Sequence, residues 1–193
     1  GVFPTTRIPV LLYTKKDYRS VTAGPDWSGG LYDGKIRLPV GGLTELTPQL
    51  RAIIFHEFTH VLVAELTHGN IPTWFNEGLA EIEGRKLFAP KLPQLDAAQE
   101  KHLLPLADLS GGFSGMGGGK AWMAYQQSFA MTSFMVQRYG WYSVQEILKY
   151  LGQHADMNTA VSKALGDYAL DLNGVMREWR ESLPAAGAGG GSQ

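Results

Sequence analysis

Apolar residues recur along this chain with two periods, and the change from one to the other divides it. Residues 8–13 are β-branched and apolar, with Pro9 near the start and Lys15-Lys16 just after, a pattern that predicts a strand. A short helix is expected over 17–21. Residues 27–32 and 35–40 flank Asp33-Gly34, a two-residue turn signal that predicts a β-hairpin, and Gly41-Gly42 ends it. From Thr47-Pro48 onward the period lengthens. Leu50, Ile53, Ile54, Val61 and Leu62 recur at helical spacing behind an N-cap threonine and a proline at the first helical position. Gly69-Asn70-Ile71-Pro72 breaks this helix, and Thr73 is the expected cap of a second one reaching about Leu87.

The pattern is poor over 90–120, where 110–119 holds six glycines in ten residues and reads as a mobile loop. Residues 122–139 are apolar at helical spacing and stop at Gly140. Ser143-Val144-Gln145-Glu146 is a capping-box sequence that predicts another helix to about Gly152. A short helix is expected over 159–165 and a last one over 168–183, followed by an Ala/Gly-rich tail, 184–193, expected to be disordered. The aromatic positions Trp122, Phe129, Phe134 and Tyr139 fall at core spacing. These elements add up to an α+β fold. A small, mostly antiparallel N-terminal sheet packs on the 47–68 helix, and the C-terminal half is helical, all within one domain over 1–183.

Composition narrows the partners. The chain has 193 residues, 44% of them hydrophobic and 18% charged, with a formal net charge of -1. That balance gives no electrostatic case for nucleic acid or an anionic membrane, and no apolar run reaches the roughly 20 residues that span a bilayer. Cysteine is absent, which excludes disulfides, thiolate metal sites and a cysteine nucleophile. Any metal must be held by histidine and carboxylate. The chain opens with Gly1-Val2-Phe3-Pro4, which reads as a processed protein or part of a longer polypeptide; removal of a leader would fit a periplasmic or secreted location.

The candidate chemistry lies on the first two long helices. In His56-Glu57-Phe58-Thr59-His60 the two histidines are one helical turn apart, so they present two imidazoles to one metal ion. Glu57 sits one position round the helix, where a carboxylate can take a proton from zinc-bound water. A catalytic zinc needs three protein ligands and an open fourth position, whereas a structural site closes with four. Glu77, in Trp74-Phe75-Asn76-Glu77-Gly78-Leu79-Ala80-Glu81, completes the three, because the short break lets the second helix fold back antiparallel against the first. Glu81 faces the same way as Glu77 and is expected to hold the second ring nitrogen of a ligand histidine without touching the metal. One Zn2+ ion is therefore expected.

HEFTH followed by FNEGLAE resembles the gluzincin group of zinc metallopeptidases, the thermolysin-like enzymes. In its order of elements the chain resembles bacterial peptidase MA-like domains. Only residues 56–60 and 74–81 carry the resemblance specifically. It implies that His56 and His60 are the paired ligands, Glu57 the general base and Glu77 the third ligand, with Glu81 standing where thermolysin-like enzymes carry an Asp that steadies a ligand histidine. Tyr125, in Ala124-Tyr125-Gln126-Gln127-Ser128, is similar in placement to the tyrosine of the Tyr-Glu-Lys-Gly helix start of gluzincin aminopeptidases. The likeness implies that its hydroxyl stabilises the tetrahedral oxyanion. The three residues after Tyr125 depart from that pattern, and a buried structural tyrosine is the competing reading.

The resemblance thus implies a zinc-dependent peptidase acting on peptide or protein substrates. Gluzincin aminopeptidases bind the substrate's amine through a Gly-x-Met-Glu-Asn segment before HExxH. Here Asp26, Asp33 and Glu45 are the acids of that stretch and none has those neighbours, which favours an endopeptidase. Such an enzyme pairs extended substrate with an edge strand, and 35–40 is the expected one. The reading from another class is a zinc-binding interaction module without significant hydrolysis, against which Glu57 argues, since a structural site needs no base beside its ligands. His68 and His154 read as surface or cap residues, as does His102, whose other possible role is a second oxyanion donor.

Overall fold

The computed structural model describes residues 4, 5, 7–22, 29–89 and 95–185. Its elements run β1 (Val10–Tyr13), α1 (Lys15–Thr22), β2 (Leu31–Tyr32), β3 (Ile36–Pro39), α2 (Pro48–Thr67), α3 (Thr73–Arg85), α4 (Leu106–Ser110), α5 (Gly118–Gly152), α6 (Met157–Ala164) and α7 (Leu172–Glu181), with short 3-10 turns at Ala97–His102 and Gly166–Tyr168. This is the expected α+β chain with a small N-terminal sheet and a helical C-terminal half.

Three expectations about the sheet need correction. It is mixed rather than mostly antiparallel: β1 pairs parallel with β3 from Val10↔Ile36 to Tyr13↔Pro39, and only β2 runs antiparallel, through Leu31↔Arg37 and Tyr32↔Ile36. The helix α1 between β1 and the hairpin makes this possible, because a parallel pair needs a crossover rather than a tight turn. The strand order is β1-β3-β2, so residues 35–40 form the central strand and not an edge. The edge beside the helices is β2. Its turn also has three residues between the paired Tyr32 and Ile36 rather than two.

The helix α2 lies between two hydrophobic clusters. On one side Val61, with Leu50, Ile53, Ile54 and Phe58, packs on Ile36, Leu38 and Tyr32 of the sheet. On the other, Val63 joins Trp74, Phe75 and Leu79 of α3, Met131, Met135, Ile147 and Leu151 of α5, and Val161, Val175 and Trp179 of the last helices. A helix buried on two sides is apolar around most of its circumference, which is why 50–63 reads as a broad apolar run. Thr47 caps it as expected, accepting from Leu50 N at 3.2 Å, and His68 ends it in the left-handed region with φ 52°.

Helix boundaries elsewhere shift for local reasons. Pro72, not Thr73, occupies the N-cap of α3; Thr73 is its first residue and donates its hydroxyl to Ser110 O at 3.3 Å. The helix ending at residue 139 and the next one meet without a loop, since Gly140 alone absorbs the break with φ 80° and ψ 163°. Ser143 therefore sits inside a helix, and its hydroxyl donates to Tyr139 O at 2.8 Å instead of forming a capping box. Asp156 and Asp171 cap α6 and α7, accepting from Thr159 N at 2.9 Å and Gly174 N at 2.8 Å.

The glycine-rich stretch is anchored: Phe113 is buried and Gly118 already belongs to α5. Just before it, Gln127 clamps the chain at Leu104, accepting from its N–H at 2.8 Å and donating to its carbonyl at 3.0 Å. Of the tail, 186–193 lies outside the described residues, while Pro184 O accepts from Ala97 N at 3.0 Å.

The crossing of α3 over α5 is close enough to exclude a side chain. A Cβ on Gly78 would stand 2.0 Å from Thr132 Oγ1 and 2.5 Å from Ser128 O. Gly78→Ala is expected to destabilise the fold by about 1–3 kcal/mol, as overpacking does. Gly119→Ala, which meets nothing within 4 Å, should unfold at an unchanged or higher urea concentration. Equal unfolding midpoints for the two variants would contradict the packing described here.

Candidate active site

The helices α2 and α3 run antiparallel, as their pairings demonstrate. A Cβ on Gly84 would lie 3.0 Å from Ala52 O and 3.4 Å from His56 Cβ, while one and two turns back along α3 Glu81 meets His56 and Asn76 meets His60. The absence of a side chain at Gly84 lets the two backbones approach there. Trp74 and Phe75, both buried, fix the opposite face of α3 in the core. Burial of each contributes about 1.5–3 kcal/mol, which helps offset the partial desolvation of the acids on the inner face.

That register gathers the residues read from the sequence. His56 Nε2 and His60 Nε2 lie 3.5 and 3.6 Å from Glu77 Oε2, and the two imidazoles stand edge to face with centroids 4.9 Å apart. The three side chains form a group that can hold a metal ion. Ligand atoms around a tetrahedral zinc with bonds of about 2.0–2.1 Å are separated by roughly 3.3 Å, so the observed spacings fit. Glu77 Oε2 is buried and accepts no hydrogen bond, an oxygen whose missing partner a cation would supply.

The outer ring nitrogens also face acceptors. His60 Nδ1 is 3.0 Å from Asn76 Oδ1, and His56 Nδ1 is 3.5 Å from Glu81 Oε1. Both contacts favour a proton on Nδ1 and leave Nε2 free to bind. Asn76 went unremarked in the sequence, although it adjoins Glu77 on the same helix. Its amide oxygen faces His60 Nδ1 as the Glu81 carboxylate faces His56 Nδ1, and at a shorter distance.

Glu57 is almost fully buried, and burial, opposed by the nearby His56 and reinforced by Glu77, pushes its carboxyl up to about 7. Burial lowers the His60 pKa, which keeps a neutral imidazole available. For His56 burial acts in the same downward sense, but the charge of Glu77, with Glu57 and Glu81, turns the net direction upward. For Glu77, burial would raise the carboxyl, and the two histidines reverse it to a net lowering.

A cleft of about 1170 Å³ opens over these groups, bordered by Gly29, Gly30 and β2 on one side and by Gly118, Trp122 and Tyr125 of α5 on the other. Gly30 is a residue the sequence reading missed. Its Cα lies so close to Glu57 that an added Cβ would be 2.7 Å from Glu57 Oε1. Tyr125 lines the cleft, packed edge to face on Phe113 at 5.3 Å. Burial first, then the charges of Glu77, Glu81 and Glu57, raise its pKa, so the phenol keeps its proton as a hydrogen-bond donor. Trp122, read as core, is 44% exposed and forms part of the cleft wall. His102 is exposed and does not line the cleft, and His154, like His68, takes a positive φ at a helix end.

Asn76→Ala removes the acceptor that orients His60 while leaving all three candidate ligands in place. Zinc affinity, measured by competition with a chromophoric chelator, is expected to fall about 10- to 100-fold, as it does when such outer partners are lost. An unchanged affinity would show that the contact does not orient a ligand.

No curated protein sequence matches this chain. A family model described as the Peptidase MA superfamily matches residues 1–185. The match runs through the sheet, both helices that carry the His, His, Glu group and all of the helical half. The match covers nearly the whole chain, which therefore belongs to the Peptidase MA superfamily and is a peptidase-like, metallopeptidase-related domain.

Proposed function

We propose that the protein is a zinc-dependent endopeptidase of the gluzincin type, with His56, His60 and Glu77 as ligands and Glu57 as general base. The observation that carries this reading is the buried, hydrogen-bond-free Glu77 Oε2 with two imidazole nitrogens at 3.5 and 3.6 Å and a carboxylate of the same cleft left over. A structural site would have no use for that fourth group. When bound, a zinc ion would polarise the scissile carbonyl, lower the pKa of the attacking water and, by its charge, favour the ionised form of Glu57.

The chain's own residues then divide the remaining work. Glu57 takes a proton from water as it attacks the carbonyl carbon and returns it to the amine as the peptide C–N bond breaks. A carboxyl poised near neutrality by its buried surroundings suits both transfers. Tyr125 donates its phenolic O–H to the oxyanion formed from the carbonyl oxygen, a role for which its protonated state and its place in the cleft qualify it. Glu81 and Asn76 keep the two imidazoles in the binding tautomer.

Substrate orientation follows from the sheet. β2 and the glycines before it form the strand edge along the cleft, so an extended peptide would lie beside Gly29–Tyr32 rather than beside β3. Among the described residues that line the cleft, the acids are Glu57, Glu77 and Glu81, each already engaged at the metal site. None is left to anchor a free substrate amine, which supports internal cleavage.

Glu57→Gln should retain one zinc per chain and lose about 10²- to 10⁴-fold in turnover of a denatured protein, the usual contribution of a general base. Wild-type products read by mass spectrometry should arise from internal bonds. Full residual proteolysis in the variant would refute the mechanism. Gly30→Val should bind zinc normally yet turn over as poorly as Glu57→Gln, because its side chain takes the space of the Glu57 carboxylate. Wild-type turnover in that variant would mean that Glu57 works from another position.

A further inference from the structure

The Glu81 carboxylate is divided between two partners. Oε1 faces His56 Nδ1 at 3.5 Å, and Oε2 receives both Nε and Nη2 of Arg85 at 2.8 Å. Arg85 thus places two donors on one oxygen instead of bridging both, and leaves the other for the histidine. The guanidinium is itself fixed, with its carbon 4.6 Å from the centre of the Phe129 ring on α5. Glu81 and Arg85 are each about one-fifth exposed, at the floor of the cleft rather than on the outer surface of α3.

An ordinary i,i+4 ion pair on a helix would be exposed and would leave the second carboxylate oxygen to solvent. This one has neither property. A free carboxylate rotates about its terminal torsion at little cost, so an acceptor meant to hold one imidazole needs its second oxygen tied down. From this geometry we propose that Arg85 is a positioning residue for the metal centre: stacked on Phe129, it locks the Glu81 carboxylate and through it the ring of His56. The inference rests on the zinc-ligand reading above and extends it by one tier, from α3 to α5.

The test titrates Zn2+ alone into the full chain against a chromophoric chelator. Wild type should bind one ion and His60→Ala should not; a failure of either result overturns the zinc reading, and the relay with it. Given that site, Arg85→Met should weaken zinc about tenfold, within the range for partners of ligand histidines. Arg85→Lys, which returns a cation to the same oxygen, should recover most of the loss, and it carries the test should Arg85→Met lose its cooperative unfolding. The double variant Glu81→Gln/Arg85→Met should bind no more weakly than Glu81→Gln alone, since Arg85 acts through Glu81. Wild-type affinity in Arg85→Met, no rescue by lysine, or losses that multiply in the double variant would each overturn the proposal while leaving the zinc site intact.

Discussion

The site depends on the register in which α3 lies against α2. Three contacts set it: Gly84 on Ala52 and His56, Glu81 beside His56, and Asn76 beside His60. A slip of one residue along α3 would turn Glu77 by about 100° around the helix axis and out of reach of both imidazoles. The register is in turn held from behind, where Trp74, Phe75 and Leu79 enter the large core and Gly78 meets α5 at a distance no side chain permits. The candidate ligand Glu77 and the core contacts of the fold therefore share the same helix. Residues on its core-facing side fix where those on its cleft-facing side stand.

The sheet serves the site from the other side. It buries one flank of α2 through Ile36, Leu38 and Val61, and so places the edge at Gly29–Tyr32 over Glu57. Gly30 brings the backbone of that edge into contact with Glu57, so that in the proposed mechanism an extended substrate would lie beside the group that moves its protons. The third wall is α5. It supplies Tyr125 and Trp122 to the cleft and Phe129 to the guanidinium that steadies Glu81. The cleft is thus assembled from three elements around the turn of α2 that carries His56, Glu57 and His60.

Some of this was legible in the sequence because it is local. The spacing of His56 and His60, the Thr47 cap, the break at 69–72 and the one-turn relation of Glu77 to Glu81 all depend on residues a few positions apart, and each reappears in the fold. What was missed depends on distance or on strand order. Nothing near residues 35–40 signals that β1 will pair with them in parallel and make them central, because that choice depends on the α1 crossover. Gly30 looks like any loop glycine until Glu57 is placed against it. Trp122 has core spacing on a helix whose start borders the cleft, and periodicity does not distinguish a core face from a cavity wall. The Ser143 capping box failed for another reason: a single glycine with positive φ joined the helices directly, and the serine became internal.

In the proposed site one ion is held by His56 Nε2, His60 Nε2 and Glu77 Oε2, with Glu57 beside it and not bonded to it. A crystal structure of the zinc-soaked protein, with anomalous data collected on both sides of the zinc edge, addresses this most directly. The account predicts a single anomalous peak about 2.0–2.2 Å from those three atoms, with a fourth position left to water. A peak elsewhere in the chain, or Glu57 as the fourth protein ligand closing the site, would contradict it.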